Sequence, residues 1–433
     1  FSIAQTTRNI AMKVEILYIA FVGAPRMLMF RFHQLLSADT SHPGPATLLT
    51  SATSFLEASP AYNVNIKPDY LLKPREPLQE TEPSRYEFKW QADSEWKGQP
   101  LRYSGAGENR ARNLRKMVEE LVKGRTAEGD NRQSEIYKTI NNFDVRDGQK
   151  RKAALIVNSY EQARMIKAFL NRYYPETGRR TKAVVRFLKD GEKPDDYVTT
   201  GQCESLDDAC DIIIFPMLAI GRGVNIVFTQ GPRTLDAAIG SLYFLTRPHP
   251  TSDDMQLLYS LAGRATQAFD SKVFEEEDVG AIAKSWQQAR KDLWKTANQL
   301  LREPIMASRL SPELFKAFTA NQMVAILQTI GRGMRNGCPV AVYFVDAAWA
   351  MNSAMGKTDS GRDSMLVQMR VILEDCINHP DPVDRSIYQE LYGAFLEPLR
   401  EISGVNYPRE LQHTSDEISE TDNFDSYSHF YDQ

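Results

Sequence analysis

The chain has 433 residues, enough for two or three domains with sizeable buried cores. Hydrophobic residues make up 42% and charged residues 25%, a globular balance that excludes a disordered or fibrous chain. The net charge of −4 excludes a global field that attracts nucleic acid, so any such binding needs a local basic groove.

Residues 1–60 read as a helix over 26–36 ("RMLMFRFHQLL"), a Pro- and Gly-rich turn over 41–45, and a short buried strand "ATLLT" over 46–50 that ends in "SATS". The apolar stretch 16–30 is broken by Gly23, Pro25 and Arg26 and is too interrupted for a membrane span. Because the first residue is Phe1 rather than Met, a fragment or processed piece of something longer is expected. Residues 61–150 turn polar and read as a linker with a helix over 108–124 and a flexible loop near 124–133.

The most regular part follows. Strands are expected at 153–159, 182–188, 211–217 and 241–247, with an amphipathic helix over 160–174 and a short one over 204–210. The strands are continuous apolar runs rather than alternating ones, which suits a parallel sheet buried on both faces. Residues 251–320 read as a helical insertion, after which a helix over 321–335 and a strand over 339–346 resume the pattern. A last helix over 385–401 leads to a tail without Lys or Arg from Glu410 onward, expected to be disordered. The resulting fold class is α/β, a parallel sheet with helices on both faces plus a helical insertion. Its divisions are 1–60, 61–150, 151–380 and 381–433.

The four cysteines, Cys203, Cys210, Cys338 and Cys376, are scattered and form no CxxC pair. Neither a disulfide framework nor a zinc site is expected, and a reducing cytoplasm fits best. In open α/β sheets ligands bind beyond the carboxyl ends of the strands, so the residues that follow each strand matter most. They are "NSYEQA" with Ser159, "TTGQ" with Thr199 and Thr200, and "LAIGRGVNI" with Gly221, Arg222, Gly223 and Asn225. The helix over 321–335 carries "QTIGRGMR" (328–335), which places Gln328, Gly331, Arg332 and Arg335 on what is expected to be one face at the same rim. Each feature also has an ordinary reading: an N-cap at Ser159, loop ends at Thr199 and Thr200, a tight turn at Gly221 and Gly223, a solvated arginine pair.

Taken in order, these segments resemble the second, RecA-like half of a superfamily 2 helicase. "TSAT" (50–53) is similar to motif III, "ALIVNSYEQA" (154–163) to motif IV and "TTGQ" to the motif that touches a nucleic-acid strand. "AIGRGVNI" (219–226) is similar to motif V, and "QTIGRGMR" matches the motif VI pattern Q-x-x-G-R-x-x-R. The long gap after residue 50 and the helical insertion lean toward the branch that includes the DinG and XPD helicases. The resemblance implies ATP and Mg2+ held between two lobes, with Arg332 and Arg335 reaching the γ-phosphate and Gln328 sensing the nucleotide. Gly221, Gly223, Asn225 and Gly331 would approach the cofactor, and Ser159, Thr199, Thr200 and Arg222 the nucleic acid, DNA rather than RNA. Thr50, Ser51 and Thr53 would couple hydrolysis to lobe movement.

The departures are equally definite. No G-x-x-x-x-G-K-[ST] phosphate loop occurs, and no D-E-x-[HD] acid pair precedes residue 46. The nucleotide-binding lobe is therefore expected outside this chain, apart from its last strand, and the chain alone is expected to be inactive. Asn225 stands where many relatives place an acid, and no iron–sulfur cysteines are expected. The competing expectations are a non-catalytic RecA-like module that binds nucleic acid or a partner protein, and an unrelated nucleotide-binding or transferase domain.

Overall fold

The computed structural model describes residues 3–5, 14–16, 48, 50–64, 66–72, 82–95, 97–124, 134–206, 209–220, 224–249, 255–270, 272, 279–302 and 309–408. The helix expected over 26–36, most of the loop at 124–133 and the tail beyond 408 lie outside them. Two short antiparallel ribbons pair β1 (Ile3–Gln5) with β2 (Val14–Ile16) and, after β3 (Arg85–Phe88), β4 (Ala92–Asp93) with β5 (Gln99–Pro100). Helices α1 (Arg110–Val122) and α2 (Glu135–Asn142) precede β6 (Lys152–Val157), α3 (Tyr160–Tyr173), β7 (Thr181–Val185), β8 (Tyr197–Thr199), β9 (Ile212–Pro216) and β10 (Ile239–Phe244). Then come α4 (Gln256–Asp270), α5 (Val279–Arg302), α6 (Pro312–Gly333), β11 (Ala341–Phe344), α7 (Met365–Ile377) and α8 (Pro382–Arg400).

Seven strands form one parallel sheet in the order β3-β11-β10-β6-β9-β7-β8. Successive side chains point to opposite faces, and both faces are covered. Leu155, Ile214 and Tyr243 belong to one core with Leu114, Ile136 and Ile166 of α1, α2 and α3. Ile156, Phe215, Leu242 and Phe344 belong to the other with residues of α6, α7 and α8. Stacked rings mark the two layers, Tyr243 on Tyr343 at 4.6 Å and Phe244 on Phe344 at 5.3 Å. This is the α/β, RecA-like arrangement anticipated from the sequence, with α4 and α5 as its helical insertion.

Several boundaries differ from the sequence reading. Residues 61–150 are not only a linker: β3 is an edge strand of the sheet, and α1 and α2 cover one of its faces. A buried strand at 46–50 is not found at the described positions, since Leu48 is 85% exposed and neither it nor Thr50 is extended into a ladder. The apolar anchor comes later, at Phe55 and Leu56. Phe55 stacks on Tyr388 at 4.9 Å, and the Tyr392 hydroxyl donates to the Phe55 carbonyl at 2.9 Å. The short helix expected over 204–210 is replaced by a 3-10 turn over Thr200–Ser205. No helix among the described residues is long and apolar enough to cross a membrane.

Candidate functional site

Helix α6 positions the arginine motif. Ser311 caps it, accepting from the Leu314 amide at 3.3 Å, with Pro312 and Glu313 in the first turn where the free amides and the positive dipole end favour them. Nearly all of 314–330 is buried, so the helix is enclosed almost all round. Near its end the half-buried Gln328 donates to Thr53 Oγ1 at 2.9 Å, joining two segments 275 positions apart. The Thr53 amide in turn donates to Ser51 Oγ at 3.2 Å.

Arg332 is only 8% exposed, and its Nη1 donates to the Val224 carbonyl. Burial lowers its proton affinity, the neighbouring Arg335 charge adds to that, and Glu204 opposes it. The amide of Asn225, itself exposed, donates to Glu204 Oε1 at 2.8 Å. The backbone at 224–225 is thus held from two sides, by an arginine on its carbonyl and a carboxylate on its amide. Gly221, Arg222 and Gly223 lie outside the described residues.

The two arginines do not share a helical face. α6 ends at Gly333, and Arg335 opens a 3-10 turn in which Asn336 and Gly337 take left-handed backbone (φ 57° and 72°). Arg335 is therefore exposed while Arg332 is enclosed. The two glycines also differ. A Cβ on Gly333 would meet Val340 Cγ2 at 2.5 Å and the Ile239 carbonyl at 3.3 Å, whereas nothing lies within 4 Å of one on Gly331. Gly333 lets the helix press on the sheet rather than on a ligand cleft, and only Gly331 borders open space.

An ionic cluster fixes this helix end. Arg151 is 2% exposed; its guanidinium donates to the carbonyls of Gly333, Pro339, Ile239 and Ala237 and to Asp144 Oδ2. Asp144 also accepts from Arg233, and Asp236 pairs with Arg233 Nε at 3.2 Å and accepts from Asn336 Nδ2 at 2.8 Å. Burying an arginine is costly unless its donors are satisfied, and here they are spent on Asp144 and on carbonyls at the starts of β10 and β11 and at the end of α6.

That contact corrects the expected placement of the arginines. A helix that precedes a parallel strand runs against it, so α6 delivers its carboxyl end to the amino rim of the sheet. Ser159 follows the carboxyl end of β6, and β6 spans about 20 Å between the rims. Ser159, Thr199 and Thr200 do share one rim: Val185 of β7 is level with Thr199. Ser159 caps α3, accepting from the Gln162 amide at 3.2 Å, and Thr199 is closed in a capping box with Gln202 (2.8 and 3.0 Å). Beside Ser159, Asn158 donates to the Arg247 carbonyl, and the fully buried Asp346 accepts from the amides of Tyr103, Ser104, Arg247 and Ala348 at 3.0–3.2 Å.

The candidate residues therefore fall into two groups. Gln328, Arg332 and Arg335 gather with Thr53 and Val224–Asn225 along the α6 side, while Ser159, Thr199 and Thr200 lie on the carboxyl rim. Thr50 and Ser51 are exposed next to Thr53. Glu204 and Arg151 escaped the sequence reading. Glu204 sat inside a misassigned helix, and Arg151 in "QKRK" looks like any solvated basic run. Among the described residues no group of three or more His, Cys, Asp or Glu is placed to hold a metal ion. No protein-family model matches the chain, and no curated protein matches it.

Proposed function

We propose that the chain is the carboxyl-terminal part of an ATP-dependent nucleic-acid helicase or translocase. The observation that carries this reading is the Gln328–Thr53 hydrogen bond beside the Arg332–Val224 contact, which brings the segments similar to motifs III, V and VI to one place. Exposed Arg335, next to the enclosed Arg332 and the open side of Gly331, suits an anionic phosphate. Arginine stays charged and meets phosphate oxygens with a planar fork. Bound ATP would supply the phosphoryl group, with its Mg2+ held by carboxylates of a partner lobe. On this chain Arg335 would neutralise charge that develops on the phosphate, and Arg332 would hold the 224–225 backbone beside it. Ser159, Thr199 and Thr200 would meet nucleic-acid phosphates along the other rim, in contacts indifferent to base sequence.

The test is ATP turnover by the polypeptide that joins this chain to a phosphate-loop lobe. Arg335→Ala is expected to lower kcat by about 10³ with little change in KM, the scale of an arginine finger. Undiminished turnover would remove the reading. The enclosure of Arg332 favours a second one, a RecA-like module in which the motif is structural. It predicts that Arg332→Ala lowers stability and that neither arginine affects turnover.

A further inference from the structure

The backbone at 224–225 is held at the two ends of a single peptide unit. The Val224 carbonyl, which accepts from Arg332, and the Asn225 amide, which donates to Glu204, flank one peptide bond and point in opposite directions across it. A cation therefore stands at the negative end of that peptide dipole and a carboxylate at the positive end. Turning the unit over would aim its carbonyl at Glu204 and its N–H at Arg332, reversing two favourable charge–dipole contacts. Both contacts are charge-assisted hydrogen bonds, stronger than neutral ones, and bonds joined in a chain polarise one another further. The pair thus sets the sense of this peptide as well as its place.

The two ends of the clamp are carried differently. Arg332 is enclosed at the end of the buried helix α6, whereas Glu204 is exposed on the 3-10 turn Thr200–Ser205. The fully buried Cys203 anchors that turn, its thiol donating to the Thr199 carbonyl at 3.4 Å, and the Thr199–Gln202 capping box closes its start. Thr199 and Thr200 stand on the carboxyl rim, and four residues after Thr200 the same turn reaches Asn225. The two groups of candidate residues are thereby connected through one turn and one peptide unit. Burial and the charge of Arg335 lower the proton affinity of Arg332, and the Glu204 carboxylate opposes them, so its charge is felt at the guanidinium. Glu204 itself lies outside every segment that resembles a helicase motif.

We infer that Glu204 is a positioning residue for Arg332: it fixes the Val224–Asn225 peptide from the turn that carries Thr199 and Thr200, so a displacement at the rim is transmitted to the arginine. The inference rests on the helicase reading only for what the rim and the arginine bind. It is tested on the full chain, without nucleotide or nucleic acid, by labelling with phenylglyoxal, which attacks accessible guanidinium groups. Arg332 and Arg335 are followed separately by mass spectrometry. In the wild type Arg335 is expected to react well ahead of Arg332. Glu204→Ala should raise the Arg332 rate about tenfold, the scale of one lost charge-assisted hydrogen bond, and leave the Arg335 rate unchanged. Glu204→Gln keeps an acceptor for the Asn225 amide and should restore most of the protection. Gln202→Ala, which opens the capping box, should raise the Arg332 rate in the same direction. Hydrogen exchange at the Asn225 amide should be faster in Glu204→Ala than in Glu204→Gln.

Equal reactivity of the two arginines in the wild type, or an Arg332 rate that ignores Glu204→Ala, would overturn the inference. So would a Glu204→Ala variant that exposes both arginines alike, which would mean general loosening, or a Glu204→Gln variant no better protected than Ala. An Arg332 rate indifferent to Gln202→Ala would overturn the transmission from the rim. The helicase reading fails on a different result, undiminished turnover of Arg335→Ala, and labelling of the chain alone does not depend on turnover.

Discussion

Single side chains in this protein are set by their neighbours more than by their type. Arg332 and Arg335 have the same chemistry and stand three positions apart, yet a helix end between them encloses one and leaves the other in solvent. Asp93 gives a comparable case away from the candidate site. Burial opposes its ionisation, but hydrogen bonds from Arg112 and Lys116, at 2.7 and 3.0 Å, outweigh that and hold its carboxyl down at about 2. A depressed folded value means that the unfolded chain takes up the proton first. The contribution of Asp93 is therefore complete above about pH 5 and is lost as pH falls through 4 toward 2. Denaturant midpoints measured over that range should fall for the wild type, and the gap to Asp93→Asn should close. A gap that is constant with pH would exclude the ion pairs as its origin.

At the scale of elements, legibility followed length. β6, β9 and β10 are five- or six-residue runs buried at every position, and a sequence declares such runs plainly. β3 ("RYEF") and β8 ("YVT") hold four and three residues with exposed or half-buried members, too few to distinguish a ladder from a loop. At the two described positions of the strand expected at 46–50, Leu48 and Thr50, no ladder forms, for the opposite reason: a short apolar run resembles a buried strand whether or not a sheet edge is available to it. The arginine motif was legible as a motif, but its geometry was not. Spacing of three implies a shared face only while the helix continues, and Gly333 ends it. The motif glycines give a direct test, read as thermal or denaturant stability. Gly333→Ala should cost about 1–3 kcal/mol because its Cβ meets Val340 and the Ile239 carbonyl. Gly331→Ala, with open space around it, should be neutral or stabilising by up to about 1 kcal/mol. Equal effects would contradict the packing described for the helix end.

Over the whole molecule, the sheet and its two cores draw in chain from both sides of the regular region. Phe55 and Leu56 share one core with Tyr388, Tyr392 and Leu396, more than 330 positions later. The Ser59 hydroxyl donates to Asn321 Oδ1 at 2.7 Å, and the Ala61 amide donates to the same oxygen at 3.1 Å. Sequence reading divided this body at residues 60 and 150 because composition shifts there, whereas burial does not. Phe55→Ala should cost about 3–5 kcal/mol, the usual loss for a large buried ring, and should make residues 48–64 the first site of proteolytic cleavage. Unchanged stability and an unchanged digestion pattern would mean that this segment is not part of the fold.

The bond between Gln328 and Thr53 therefore has a mechanical side. From Thr53 to Tyr62 the chain travels with the sheet, so any swing of the residues before it must pivot upstream of Thr53. A pull on that pivot would reach the base of the arginine helix through one amide–hydroxyl link, by a route that bypasses the strands altogether.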